Sequence, residues 1–121
     1  MTAPRFTCPC CGYLTLGDWP GSYEICDVCS WEDDLVQLLD PWYGGGANRP
    51  CLVDAQSSFA GGSAIPESLK SVKGVQAGEG RDPQWRRVVA ADRAFVRRLR
   101  DLNDEQFRDL GVLYYWRLNA V

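Results

Sequence analysis

Two cysteine knuckles, Cys8-Pro9-Cys10-Cys11-Gly12 and Cys26-Asp27-Val28-Cys29, stand near the start of the chain with fourteen residues between Cys11 and Cys26. Nothing else in the sequence constrains the fold as tightly. In a C-x-x-C knuckle the two sulfurs turn toward one point, so two knuckles brought together by a short hairpin set four thiolates around a tetrahedral ion. The sequence contains no histidine. A four-ligand zinc site must therefore be all cysteine, and the commonest catalytic acid or base is missing. Three thiols compete for two places in the first knuckle. Cys8 and Cys11 have the chelating spacing, whereas Cys10 and Cys11 are adjacent and would chelate only through a strained arrangement, so Cys8, Cys11, Cys26 and Cys29 are the predicted ligands. Cys10 reads as a small buried hydrophobe beside the metal, with a reactive or alternate ligand as the competing reading. Four sulfurs close the coordination sphere and leave no position for an activated water, which argues against zinc hydrolysis.

At 121 residues the chain is the length of one domain. Its 45% hydrophobic share and five tryptophans predict a folded globule. No stretch approaches the ~20 apolar residues that span a bilayer, and the N-terminus lacks the apolar run of a secretory signal. The expected compartment is the cytoplasm, where thiols stay reduced and paired C-x-x-C motifs are metal sites more often than disulfides.

Charge is unevenly spread. Residues 1–60 carry two basic side chains against eight acidic ones, a balance of −6, while residues 61–121 carry eleven against eight, a balance of +3. The predicted metal half is the acidic half, which counts against it as a nucleic-acid reader.

The fold class expected is small α+β, an N-terminal zinc ribbon held by four cysteines, with short helices and a C-terminal α-helical hairpin. Leu14 and Leu16 alternate with Tyr13 and Thr15, and Tyr23 and Ile25 alternate with Ser22 and Glu24, so the two runs predict a β-hairpin joined across Gly17-Asp18-Trp19-Pro20-Gly21. An isolated hairpin is marginal in water, and a metal worth ~10–16 kcal/mol in small stapled peptides gives it a reason to form. After the second knuckle, Ser30-Trp31-Glu32-Asp33-Asp34 leads into Leu35, Val36, Leu38 and Leu39, a turn followed by a short helix with an acidic start. The same residues also offer a binding surface, with Trp31 as anchor and Glu32, Asp33 and Asp34 as a charged rim toward a basic partner.

Residues 1–43 thus form the ribbon and its helix, 44–83 a glycine-rich connection with a short helix, and 84–121 the helical hairpin, packed as one compact unit. Gly44 to Pro50 reads as a flexible link, Leu52 to Phe59 as a helix stopped by Gly61-Gly62, and Ser63 to Pro83 as a loop with one helical turn near Glu67 to Val72. Cys51 falls at the start of the second helix, where a thiol can have a lowered pKa; the structural reading is preferred over a redox one. Val88, Ala91, Phe95, Leu99 and Leu102 predict an amphipathic helix over 84–101 with Arg86, Arg93, Arg97 and Arg100 opposite. Asn103 as N-cap and Gln106 as its capping-box partner start a second one.

The segments Cys8 to Tyr13, Gly21 to Asp34 and Gly45 to Arg49, and more weakly Leu52 to Gln56 and Arg81 to Trp85, resemble the bacterial cysteine-rich CPCC family, over roughly residues 6–86. The resemblance implies a zinc-ribbon-like protein without established enzymatic activity. It also implies, through the toxin genes beside which members occur, an immunity role. Cys51 departs from the family pattern where a serine cap is expected, as does Ser57-Ser58.

These readings converge on a non-enzymatic, zinc-stabilised protein-interaction module, an immunity protein whose acidic surface blocks the basic cleft of a cognate toxin. No membrane partner is expected. One alternative is a nucleic-acid-associated zinc ribbon that uses the C-terminal arginines, disfavoured by the modest charge. The other is a rubredoxin-like electron carrier, weakened by the short gap between knuckles and by Ser30-Trp31 where that family has glycine.

Overall fold

Each knuckle closes a hairpin of its own. In the first, the Cys8 amide donates to the Tyr13 carbonyl (2.9 Å) and the Gly12 amide returns to the Cys8 carbonyl (2.8 Å). In the second, the Cys26 amide donates to the Trp31 carbonyl and the Ser30 amide to the Cys26 carbonyl, both at 2.9 Å. The two knuckles share one hydrogen-bond pattern, and both need a left-handed residue at its end. Gly12 takes that position at φ 81° and Ser30 at φ 73°, so a serine adopts what glycine adopts without steric cost.

The computed structural model describes residues 5–61 and 80–118. The helical turn expected near Glu67 to Val72 lies outside them. Within them, β1 (Phe6–Thr7) and β2 (Leu14–Leu16) pair antiparallel around the first knuckle, with Phe6 opposite Leu16, Thr7 opposite Leu14, and an irregularity between. Around the second, the Tyr23 amide donates to the Asp33 carbonyl and the Asp33 amide to the Glu24 carbonyl (2.9 Å each), beside an isolated bridge from Ile25 to Glu32. The expected pairing of residues 13–16 with 22–25 is therefore corrected. Gly21 at φ 94° and Tyr23 at φ 64° turn the chain out of extended geometry, and alternation specifies faces rather than partners. A third segment joins the first hairpin: the Leu14 amide donates to the Gly80 carbonyl and the Asp82 amide to the Gly12 carbonyl, both at 2.8 Å.

The helix α1 (Leu35–Leu39) begins where the Asp34 carboxylate accepts the Val36 (2.8 Å) and Gln37 (3.4 Å) amides. Its successor α2 (Leu52–Ala60) ends at Gly61 as the sequence indicates. The link between them is not a free one. Gln37 Nε2 donates to the carbonyls of Tyr43, Asn48 and Pro50 at 3.0–3.2 Å, and its Oε1 accepts from the Asn48 amide and Nδ2. One fully buried glutamine thereby moulds the glycine-rich turn expected to be flexible.

The helix expected over 84–101 does not form. Two 3-10 turns, Ala90–Phe95 and Leu99–Asp101, stand there in extended chain. The Asp92 carboxylate accepts the Val89 amide (2.8 Å) and that of Asp101 accepts the Arg98 amide (2.7 Å), so each aspartate closes a local turn that competes with a continuing helix. Val89, Phe95 and Leu99 are consequently exposed. The second expected helix starts as read, with Asn103 and Gln106 bonded reciprocally (2.8 and 2.9 Å), but it breaks into three single turns, α3 (Asp104–Phe107), α4 (Leu110–Leu113) and α5 (Tyr115–Leu118). Asp109 caps α4 through the Gly111 amide.

The core gathers around sulfur. Cys8, Cys10, Cys11, Cys26 and Cys29 are buried with Leu16, Val28, Trp31, Leu38, Leu52 and Ala55, and with Tyr114, Tyr115 and Trp116 from the C-terminal turns. Tyr114 stacks on Trp116 with centroids 4.2 Å apart. Among the described residues no helix is long and apolar enough to cross a membrane.

Candidate metal centre

The Sγ atoms of Cys8, Cys11, Cys26 and Cys29 all lie within 4.8 Å of one another. Cys8 and Cys29 are 3.5 Å apart and Cys11 and Cys26 3.7 Å. A tetrahedral ion with bonds of ~2.3 Å to sulfur separates its ligands by ~3.8 Å, whereas a disulfide brings them to ~2 Å. The spacing is that of co-ligands. All four thiols are free and at most 1% exposed. The group joins the four sequence-predicted ligands and leaves out Cys10 and Cys51.

Protons among these thiols are unequally held. Burial first, then thiol contacts with Cys11 and Cys26, raise Cys8 well above its ordinary range. Cys29 is raised first by its contact with Cys10, then by the other sulfurs. Cys26 is pushed far down because Cys11, Cys29 and Cys8 donate to it, and the Thr15 hydroxyl, 3.0 Å away, adds to this. The Val28 amide also points at its sulfur (3.3 Å). Four thiolates gathered here would place four negative charges in a dry interior, which requires a cation at their centre. The residues present could therefore hold a metal ion, and four sulfur donors fill a tetrahedral one.

Side chains distant in sequence fix the first knuckle. The Pro9 carbonyl accepts from Gln56 Nε2 (2.9 Å) and Trp85 Nε1 (3.0 Å), and the Cys11 carbonyl from Arg81 Nε (3.0 Å). Arg81 lies between the rings of Tyr13 (4.6 Å) and Trp85 (5.2 Å). Gln56 ties these together: its Nε2 also donates to the Tyr115 hydroxyl (2.9 Å) and its Oε1 accepts the Val88 amide (2.9 Å), while Tyr115 in turn donates to the Arg86 carbonyl. None of these roles was visible in spacing. Gln56, Arg81 and Trp85 fall within the family-like segments, which was the only signal they gave.

The second knuckle is held by the residues that the sequence offered as a binding rim. Asp33 is 1% exposed and accepts from the Gly21 amide (3.0 Å), the Ser22 amide (3.3 Å) and the Ser22 hydroxyl (3.1 Å). Burial still pushes its carboxyl up to about 6 against those bonds. Asp34 caps α1 and takes the Ala47 amide (2.8 Å). Trp31 is wholly buried in the core. The surface reading of Trp31, Asp33 and Asp34 is corrected: hydrophobic burial and unsatisfied loop amides draw all three inward. Glu32 alone keeps a partly exposed side chain, its backbone clamped by Asn48 Oδ1 (2.9 Å) and Nδ2 (2.8 Å).

Cys10 is buried outside the four, lining a cleft with Gln56, Phe59, Arg81, Trp85 and Arg87. Cys51 precedes α2 without a side-chain cap bond, and burial raises its thiol, opposite to the lowering that a helix start can give. The arginines are dispersed. Arg86 pairs with Asp92 at 2.8 Å and Arg93 lies over Trp42 (4.5 Å), so no helical stripe presents them.

The model of the family described as Cysteine-rich CPCC matches residues 6–79, more than half of the chain, and the chain belongs to that family. No curated protein matches it.

Proposed function

For a member of the cysteine-rich CPCC family with four buried, converging thiols, we propose a non-enzymatic interaction module, stapled by zinc and docking a basic protein partner through the outer face of its second knuckle. Zinc suits the donor set, because four thiolates at tetrahedral spacing favour a soft, d10 ion with no redox chemistry of its own. The saturated site supplies shape rather than catalysis.

One observation carries the docking face. Tyr23 is 58% exposed and Ile25 51% on the arm that enters the second knuckle, and Tyr23 is held there at φ 64°. A non-glycine residue in that region costs of order 1–3 kcal/mol, which the surrounding structure must sustain. Glu24 and Asp27 flank Tyr23 and Ile25 in the chain, Glu32 is bridged to Ile25, and no lysine or arginine occurs between Arg5 and Arg49. An apolar pair inside an acidic rim fits a partner with an apolar notch in a basic surface. The nucleotide- or nucleic-acid-binding cleft of a cognate toxin has that chemistry, and occupying it would make the protein an immunity factor in the cytoplasm. The test pairs the chain with the product of an adjacent toxin gene. The complex is expected to co-purify and protect, and Tyr23→Ala with Ile25→Ser should weaken it at least tenfold while metal content and melting temperature hold. A chain that neither binds nor protects, or a double variant that binds unchanged, overturns the proposal.

A further inference from the structure

Away from the metal centre, a cleft of about 470 Å³ opens between the end of α1 and the extended segment before α3, lined by Val36, Asp40, Tyr43, Arg97, Arg98, Leu99 and Arg100. Its walls are tied down. The Arg97 amide donates to the Leu39 carbonyl (3.2 Å), the Tyr43 amide to the Asp40 carbonyl (3.0 Å), and the Arg98 amide to the Asp101 carboxylate (2.7 Å). Three arginines line this space, and among the described residues none has a carboxylate within ion-pair range.

Arg97 is the most telling of the three. It is partly buried, its Nε donates only to the Phe95 carbonyl (3.1 Å), and burial alone shifts it, downward. Arg86 shows the contrast: a bidentate Asp92 raises it. A guanidinium withdrawn from water without an anion is costly to hold, and arginine's planar fork matches phosphate oxygens two at a time. Across from the arginine segment stand Val36 and Tyr43, the latter 46% exposed, with the Asp40 carboxylate beside them, while Leu99, 43% exposed, lies between Arg98 and Arg100. Phosphate alone would leave that half uncovered, whereas an aromatic ring stacked on Tyr43 would fill it. The volume falls in the ~300–1,000 Å³ range of small-ligand pockets.

We propose that this cleft binds a mononucleotide, its phosphate held by Arg97, Arg98 and Arg100 and its base against Tyr43 and Leu99. The site is independent of the docking face at Tyr23 and Ile25, so either can fail alone.

Amide NMR titration of the full-length, metal-loaded protein tests it, with AMP, GMP, CMP and UMP as probes beside adenosine, inorganic phosphate and a short single-stranded oligonucleotide. At least one mononucleotide should shift the amides of Tyr43, Arg98 and Leu99 saturably, and bind at least tenfold more tightly than adenosine or phosphate. Arg98→Gln with Arg100→Gln, both at exposed positions, should weaken it at least tenfold with the melting temperature unchanged. Arg97→Gln should do the same, and its glutamine keeps the backbone bond to Leu39. No shifts at millimolar mononucleotide, or affinity indifferent to the arginines, overturns the assignment. So does an oligonucleotide that binds more tightly than any mononucleotide and spreads its shifts to Arg86 and Arg93, which would make the region a nucleic-acid surface.

Discussion

Gly12 shows how narrowly one residue can be specified. It takes φ 81°, and a Cβ placed there would stand 2.5 Å from the Trp85 ring, which covers the first knuckle. Gly12→Ala should destabilise the protein by ~2 kcal/mol or more, the left-handed cost plus displacement of the indole. Thermal unfolding of the metal-loaded variant checks this, and an unchanged midpoint would deny the close packing. The ligands themselves were readable because chelation fixes their separation along the chain, and the glycine because the knuckle must turn at φ > 0. Ser30 was less readable, since serine in that conformation depends on the backbone bonds of the knuckle rather than on its own preference. Trp31, Asp33 and Asp34 misled for a related reason. A tryptophan beside carboxylates reads alike whether it faces water or core, and the amides of Gly21, Ser22, Val36 and Ala47 decide where the carboxylates turn.

At the scale of elements, the polar ties decide more than the apolar pattern does. Gln37 joins α1 to the turn at 43–50, and its loss strands the Asn48 amide and three carbonyls. Gln37→Ala should cost about 3 kcal/mol, the size expected when several buried polar groups lose one shared partner. Hydrogen exchange should accelerate at 44–49 while the Cys8 and Gly12 amides keep their protection; uniform acceleration would show that the turn has no separate organiser. The first helix was legible from its acidic start, the second from its glycine stop, and Asn103 with Gln106 was legible as a start. The failed helix over 84–101 had apolar residues at the right intervals, but Asp92 and Asp101 reach back to the amides of Val89 and Arg98 and close short turns instead. Strand partners stayed hidden because Leu14 and Ile25 alternate equally well whichever strand they join.

Across the whole molecule, small α+β architecture follows from a chain that folds around its sulfurs. Residues from the N-terminal hairpin, both early helices and the last two turns meet in a core that encloses Cys8, Cys11, Cys26 and Cys29. Trp19 Nε1 donates to the Phe107 carbonyl (2.9 Å), so the segment between the knuckles also touches α3 at the surface. A short chain whose core is built on thiols depends on what neutralises them, since four buried thiolates cannot persist uncompensated. Zinc K-edge absorption on protein purified without added metal, with zinc counted in the same sample, addresses the staple directly. One zinc per chain with four sulfur ligands at ~2.3 Å is the predicted result. A well-folded protein with substoichiometric zinc, with iron in its place, or with nitrogen or oxygen among the ligands would contradict it.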